Sequence, residues 1–203
     1  MHTVQCDFFI VGGGLAGLTA ALHLAPHGSV YLVVKNGLFD ANTNFAQGGI
    51  SCVQDSADSF DAHVSDTLVA GAGLCNETVV REIVSGGPAA ITELEKLGVR
   101  FERAENGGGY DLGREGGHSA RRILHAGDIT GARIQEALVA AVKADSRIVV
   151  RERNMVIDLI TMKFLKLPGN NRCLGAYVLD DGTGEIYAVR STHTILATGG
   201  CGK

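Results

Sequence analysis

An α/β fold built on a parallel sheet is predicted by three features of the sequence. An apolar segment, a glycine cluster, an apolar helical segment and a second apolar segment follow one another within the first 35 residues. Glycine accounts for 28 of 203 residues, about twice the ordinary share of ~7 %. Those glycines cluster between apolar segments and show no G-X-Y period, which excludes collagen and suggests a backbone that must approach something closely. With 45 % apolar and 20 % charged residues, the chain can bury a sizeable core and is not disordered.

Residues 4–11 read as a buried strand, short, apolar and stopped by glycines. Leu15–Leu24 reads as a helix, with Leu15, Leu18 and Leu22 at helical spacing and Pro26 and Gly28 ending it. Residues 30–34 form a second buried strand. The three together are a βαβ unit, because a parallel pair needs such a crossover, almost always right-handed. Residues 36–50 are polar and rich in Gly and Asn, hence a loop. Residues 60–69 and 79–97 are expected to be helical, with Asp58 or Ser59 as N-cap of the first and a break near Gly86-Gly87-Pro88 in the second. Residues 104–119 read as another loop. Asp128 or Thr130 caps a helix over 131–143, whose stripe is Ile134, Leu138 and Val142. Strands are predicted at 148–150 and 155–160, a β-hairpin at 174–189 around Asp181-Gly182-Thr183-Gly184, and a further strand at 194–197. The sequence closes on a strand, a glycine turn and Gly202-Lys203. Such a piece needs a following element to cover it, so residues 1–203 are expected to be the N-terminal part of a larger domain.

Charge and cysteine usage narrow the partners. Eighteen Lys+Arg against 22 Asp+Glu give a net charge of −4, which is no footprint for nucleic acid or an anionic membrane. Residues 8–34 carry no charge, but no Lys or Arg precedes them and Gly12, Gly13, Gly14, Gly17, Pro26 and Gly28 interrupt them. Neither a secretory leader nor a membrane span is expected. Cys6, Cys52, Cys75, Cys173 and Cys201 are odd in number and form no C-x-x-C. They suit a reducing cytosol better than a disulfide framework or zinc site.

Gly12-Gly13-Gly14-Leu15-Ala16-Gly17 fits G-x-G-x-x-G in the context that gives it meaning, after a strand and at the start of a helix. Gly12 permits the tight turn, Gly14 lets a pyrophosphate approach the backbone, and Gly17 lets helix and strand pack closely. The helix N-terminus then faces the phosphates with unpaired N–H groups. Where an acid is expected to hold a ribose, the sequence has Lys35 followed by Asn36. A cation there could take a 2′-phosphate, so this motif leaves FAD, NAD and NADP open.

Further strings carry more: Asn42-Thr43-Asn44-Phe45-Ala46-Gln47-Gly48-Gly49-Ile50; Gly113-Arg114-Glu115-Gly116-Gly117-His118-Ser119-Ala120-Arg121-Arg122-Ile123-Leu124-His125-Ala126; Asp66-Thr67-Leu68 with Ala70-Gly71-Ala72-Gly73; and Ala197-Thr198-Gly199-Gly200. Over essentially its whole length the chain resembles the L-aspartate oxidase family, within the succinate dehydrogenase/fumarate reductase flavoproteins. The string around Glu115 is the most specific. The resemblance implies a Rossmann-like FAD-binding domain with a parallel sheet and an added β-hairpin or meander, ending before the capping domain and the C-terminal helical domain. It implies FAD with its pyrophosphate over Gly13, Gly14, Leu15 and Ala16, Lys35 nearby, and Gly12 and Gly17 shaping the turn. The loop of Asn42, Thr43, Asn44, Phe45, Ala46, Gln47, Gly48 and Gly49 would wrap the flavin. Met155 and Val156 would present backbone to the adenine end, and Thr198 and Gly199 would complete the site. Respiratory members bond a histidine covalently to the flavin; the matching residue here is Asn42, which lacks a comparable nucleophile, so the FAD is expected to be non-covalent.

Glu115 is the catalytic residue that the resemblance implies. Respiratory members have an apolar residue there, and a carboxylate beside a substrate ammonium is electrostatically favourable. It would orient the α-amino group of L-aspartate while hydride leaves Cα for flavin N5. The competing reading is an ion pair with Arg121 or Arg122. Glu115-x-x-His118 also mimics a metal-ligand pair, but Gly116-Gly117 argues against the helix such a pair needs, so no metal is expected. His118 and His125 read as structural, and the sequence leaves Arg121 and Arg122 open to substrate, phosphate or structural carboxylates. The implied activity is oxidation of L-aspartate to iminoaspartate, the first step of de novo NAD biosynthesis, in the cytoplasm. Oxygen or fumarate would accept the electrons and quinolinate synthase would consume the imine. The alternatives are a soluble fumarate reductase or succinate dehydrogenase flavoprotein and, from another class, a non-catalytic FAD-binding module.

Overall fold

The computed structural model describes residues 2–105 and 107–200; Cys201 and the terminal Gly202-Lys203 lie outside the described residues. In chain order the elements are β1 (Thr3–Val11), α1 (Leu15–Leu24), β2 (Val30–Val33), α2 (Asn42–Phe45), β3 (Ile50–Ser51), α3 (Phe60–Ala70), α4 (Glu77–Lys96), β4 (Leu112–Gly113), β5 (Ile123–Leu124), α5 (Thr130–Ala144), β6 (Ile148–Arg151), β7 (Asn154–Thr161), β8 (Cys173–Asp180) and β9 (Ile186–Leu196). They form two compact units, Met1–Asn44 with Leu138–Lys203, and Phe45–Ala137.

The first unit holds a six-stranded sheet in the order β6-β2-β1-β9-β8-β7. The βαβ unit is present: β1 and β2 pair in parallel from Phe8↔Val30 to Val11↔Val33, and α1 crosses between them before a 3-10 turn at Ala25–His27. β6 extends the parallel part beyond β2 and β9 extends it beyond β1. β8 and β7 add an antiparallel meander. Phe9, Tyr31 and Val33 of the parallel strands share one buried cluster with Ala176, Val178, Tyr187 and Val189 of the meander. The last segment differs from the expectation. A hairpin to 189 and a separate strand at 194–197 are in fact the single strand β9. Its residues 186–190 pair antiparallel with β8 and its residues 188–196 pair parallel with β1. Arg190-Ser191-Thr192-His193 contains no Gly, Pro, Asn or Asp, and the parallel partner β1 holds the chain extended.

The start of β7 is tied to the end of β2, since Arg153 N–H donates to Asn36 O and Asn154 N–H to Val34 O, both at 2.9 Å. Asn154 is buried and accepts from Tyr187 Oη at 2.6 Å.

The second unit contains α3, α4 and a small antiparallel sheet, β3-β5-β4. Ser59 caps α3 by accepting from Ala62 N at 3.1 Å, which leaves Asp58 for another role. Asn76 caps α4. The predicted break in that helix does not occur: α4 runs through Gly86, Gly87 and Pro88. A helical proline costs about 3 kcal/mol, but Val84, Ile91 and Leu94 are buried on both sides of it and their common face keeps the helix in one piece. Two short elements also lie within predicted loops, the single turn α2 within 36–50 and the strand β4 within 104–119. α5, which crosses the boundary between the units in sequence, buries the expected Ile134, Leu138 and Val142. Thr130 is its first residue and accepts from Ala126 N at 3.0 Å.

Candidate functional site

In the first unit, the glycine turn between β1 and α1 forms one wall of a cleft of about 500 Å³. The glycines there divide by cause. Gly12 has φ +115°, and a β-carbon on it would collide with the Ala197 carbonyl; one on Gly17 would collide with the carbonyl of Gly12. The fold itself requires both. Gly14 is different: its φ is −80°, and a β-carbon there would meet nothing nearer than Thr43 Oγ1 at 3.6 Å. The protein's own packing does not demand glycine at this point, whereas a phosphate approaching the backbone does.

The N-terminus of α1 begins at Gly14 with no side-chain cap. Leu15 N–H donates to Thr43 Oγ1 at 3.1 Å, which fastens the loop after β2 to the helix start. The aligned amides make this end partially positive. Lys35 lines the same cleft, is exposed and makes no ion pair among the described residues. Asp40 shapes the far side by accepting from Gly37 N at 3.1 Å. The cleft thus brings together Gly12, Gly13, Gly14, Leu15, Ala16, Lys35, Asn42, Thr43, Thr198 and Gly199. It adds Asn36, Gly37, Asp40 and Ala41, which no sequence pattern singled out. A turn open at Gly14, a helix N-terminus whose N-cap residue offers no side chain, and a lysine without an ion pair among the described residues together fit a dinucleotide pyrophosphate. Gly17 serves packing rather than lining, Asn44 lies in α2, and Met155 and Val156 lie in β7, one and two residues past the Asn154–Val34 bond.

Phe45, Ala46, Gln47, Gly48 and Gly49 belong to the second unit, as does Glu115. Glu115 sits on the loop between β4 and β5, whose stem is closed by Gly113↔Ile123 pairing and by Arg122 N–H to Gly113 O at 3.0 Å. Its carboxylate lies beside Gly48, where a β-carbon would be 3.7 Å from Oε1. The expected competitor, an ion pair with arginine, is not formed. Arg121 donates to Leu112 O at 2.7 Å, and Arg122 is committed elsewhere. Glu115 has no ion pair among the described residues and is exposed. The His125 ring packs against Gly113 and Gly49, in keeping with a structural role.

Arg122 is the largest fully buried side chain. Its Nε and Nη2 donate to the two oxygens of Asp58 at 2.8 and 2.7 Å, and its Nη1 to Asp66 Oδ2 at 2.6 Å. Nη1 also lies 3.2 Å from His118 Nδ1, which must therefore be the acceptor. Hydrogen bonding from the Ser119 backbone N–H, followed by the Arg122 contact, holds the Asp66 carboxyl at about 2. The Arg122 hydrogen bond also lowers Asp58. Burial, and then the Arg122 charge, lower His63, whose Nδ1 is buried with no hydrogen-bond partner among the described residues. Sequence reasoning missed Asp58, Asp66 and His63 as members of this cluster. Asp66 stood within a quoted string, but no spacing rule joins it to a residue 56 positions away.

The chain matches the FAD binding domain family over residues 7–203. It is 50 % identical to L-aspartate oxidase 1 of Ralstonia nicotianae over 198 residues, covering 97 % of this chain and 37 % of that protein. It is 43 % identical to the chloroplastic L-aspartate oxidase of Arabidopsis thaliana, covering 98 % of this chain and 30 % of that one. Among solved structures, a quinol fumarate reductase of E. coli superposes with a TM-score of 0.91 at 30 % identity, covering all of this chain and 34 % of the other. The chain spans about a third of the length of these relatives. With a dinucleotide cleft at Gly12–Gly17 and these relatives, the chain belongs to the FAD-binding domain family of flavoproteins, and its cofactor is FAD.

Proposed function

We propose that this chain is the FAD-binding part of an L-aspartate oxidase, the capping and C-terminal helical domains being supplied outside residues 1–203. The intact enzyme oxidises L-aspartate to iminoaspartate, with oxygen or fumarate as final acceptor. The product feeds NAD biosynthesis in the cytoplasm through quinolinate synthase. No helix of the described residues is long and apolar enough to cross a membrane.

The observation that carries the reading is the Glu115 carboxylate, held on a loop between glycines and left without a cation among the described residues. A carboxylate so presented is suited to receive an ammonium. In the cleft, the Gly14 backbone and the amides of α1 that follow Leu15, whose own N–H is taken by Thr43 Oγ1, bind the pyrophosphate, and Lys35 offsets its charge. Thr43 fixes the loop that adjoins the phosphate site. Asn42, in the place of a covalent attachment residue, leaves the cofactor non-covalent. Bound FAD supplies the two-electron acceptor. Glu115 pairs with the substrate α-ammonium and orients Cα for loss of hydride.

A second reading, a fumarate reductase type of flavoprotein, draws on the structural likeness to the E. coli enzyme. Glu115 separates the two. In the full-length protein, Glu115→Gln keeps the size and removes the charge. A charge-assisted contact is worth about 1.5–3 kcal/mol, so kcat/KM for aspartate should fall roughly ten- to a hundred-fold. Fumarate reduction should change far less, because fumarate has no ammonium. An equal fall in both activities would make Glu115 a general structural residue.

A further inference from the structure

We propose that Asp66 is a positioning residue for Glu115: with Ser119 it anchors the loop that holds the Glu115 carboxylate in place. The proposal rests on the reading of Glu115 given above, and its test separates the two.

The Glu115 loop has two fixed ends. One is the β4–β5 stem, where Arg122 N–H donates to Gly113 O and Cys52 N–H to Arg122 O at 2.8 Å. The other is Ser119. A single oxygen, Asp66 Oδ2, accepts from Ser119 N–H at 2.7 Å, from Ser119 Oγ at 2.8 Å and from Arg122 Nη1 at 2.6 Å. Asp66 lies on α3, a capped helix, so a regular element supports the far end of an otherwise irregular loop. Between the anchors the loop closes on itself: Arg114 Nε donates to His118 O at 2.8 Å, and His118 N–H to Glu115 O at 3.3 Å. Gly116 and Gly117 contribute no side chains, and Gly117 takes φ +85°. Glu115 is therefore placed by what lies on either side of it.

The two acids that face Arg122 divide the work. Asp58 takes Arg122 bidentately and its side chain is 1 % exposed, so it neutralises the buried guanidinium. Asp66 takes one Arg122 contact, is 17 % exposed and spends its other bonds on Ser119. Loss of Asp66 leaves Arg122 paired with Asp58 but frees Ser119, whose remaining side-chain contact is Arg122 Nη2 at 3.5 Å. The expected result is a mobile Glu115 in a folded protein.

Two variants test this, Asp66→Ala and the milder Ser119→Ala, which removes the hydroxyl and leaves the backbone bond. In the full-length protein, hydrogen exchange is followed at the amides of 114–119 and, as reference, at those of β1 and β2. Asp66→Ala should speed exchange in the loop by about tenfold or more, with the reference amides unchanged. Ser119→Ala should do the same to a smaller extent. A uniform rise across both units, or no change in the loop, overturns the anchoring role. In the full-length enzyme, Asp66→Ala should raise KM for L-aspartate and lower the ratio of aspartate to fumarate kcat/KM about tenfold. If Glu115→Gln lowers that ratio and Asp66→Ala leaves it intact, Asp66 does not position Glu115. If Glu115→Gln leaves the ratio intact, the reading of Glu115 has failed, and loop exchange alone decides whether Asp66 anchors it.

Discussion

Arg122→Met removes the guanidinium and keeps the length of the stem. In the wild-type protein that group is fully buried and makes three short bonds to Asp58 and Asp66. Methionine leaves the Asp58 carboxylate, 1 % exposed, without a cation. Breaking a buried pair by deleting one partner costs about 3–5 kcal/mol, against a total stability on the order of 5–15 kcal/mol. The loss should be concentrated in the second unit, which is read by hydrogen exchange alongside urea unfolding. The pH dependence supplies the sharper signature. Asp58 and Asp66 have lowered folded-state values, Asp66 to about 2. Their stability is present above the unfolded carboxylate range, near ~3.9, and is lost as pH falls through the folded values. His63, also lowered, makes the wild type lose stability as pH drops below about 6.5. In the variant, Asp58 is buried without its cation and its value rises. Its contribution is then present below the unfolded value and lost as pH rises through the folded one. The gap between variant and wild type should therefore narrow from pH 7 toward pH 4. A gap below about 1 kcal/mol at pH 7, or one that stays constant with pH, would refute the argument that Arg122 neutralises a buried carboxylate.

Gly14→Val should abolish FAD binding in an absorbance titration. Gly14→Ala should cost the fold no more than about 1–2 kcal/mol, the range for a poor N-cap, because a β-carbon meets only ordinary contacts there. Gly12→Ala should instead impair folding itself, seen as a lower Tm without any ligand, since φ +115° and the Ala197 carbonyl both oppose a side chain. Acid precipitation of the intact holoprotein should leave yellow flavin in the supernatant; flavin retained in the pellet would contradict the reading of Asn42. Leu138→Ala, at a site 1 % exposed, should cost about 2–5 kcal/mol in urea unfolding.

The parts of this molecule that local rules govern were legible in its sequence. The β1–α1–β2 unit was readable because each boundary is marked by a glycine or proline and each strand is a short apolar run. The stripe of α5 was readable because Ile134, Leu138 and Val142 recur at helical spacing. The glycine turn that lines the cleft was readable for the same reason, since its residues lie in one contiguous stretch. Elsewhere distant residues decide. Pro88 looks like a helix break until Val84 and Ile91 are seen buried on one face. The junction at Arg190–His193 looks like a gap until β1 is placed beside it. Arg122 was ambiguous because its partners, Asp58 and Asp66, lie more than 50 positions away and only folding selects them from 22 acids. Among the described cysteines, Cys6, Cys52, Cys75 and Cys173 are all free thiols.

Anaerobic reduction of the flavin in the full-length protein tests the central claim most directly. L-aspartate should bleach the oxidised flavin absorbance and succinate should leave it, because Glu115 offers a carboxylate to the ammonium that succinate lacks. Bleaching by succinate with none by L-aspartate would contradict the account and assign the chain to a flavoprotein of the fumarate reductase type.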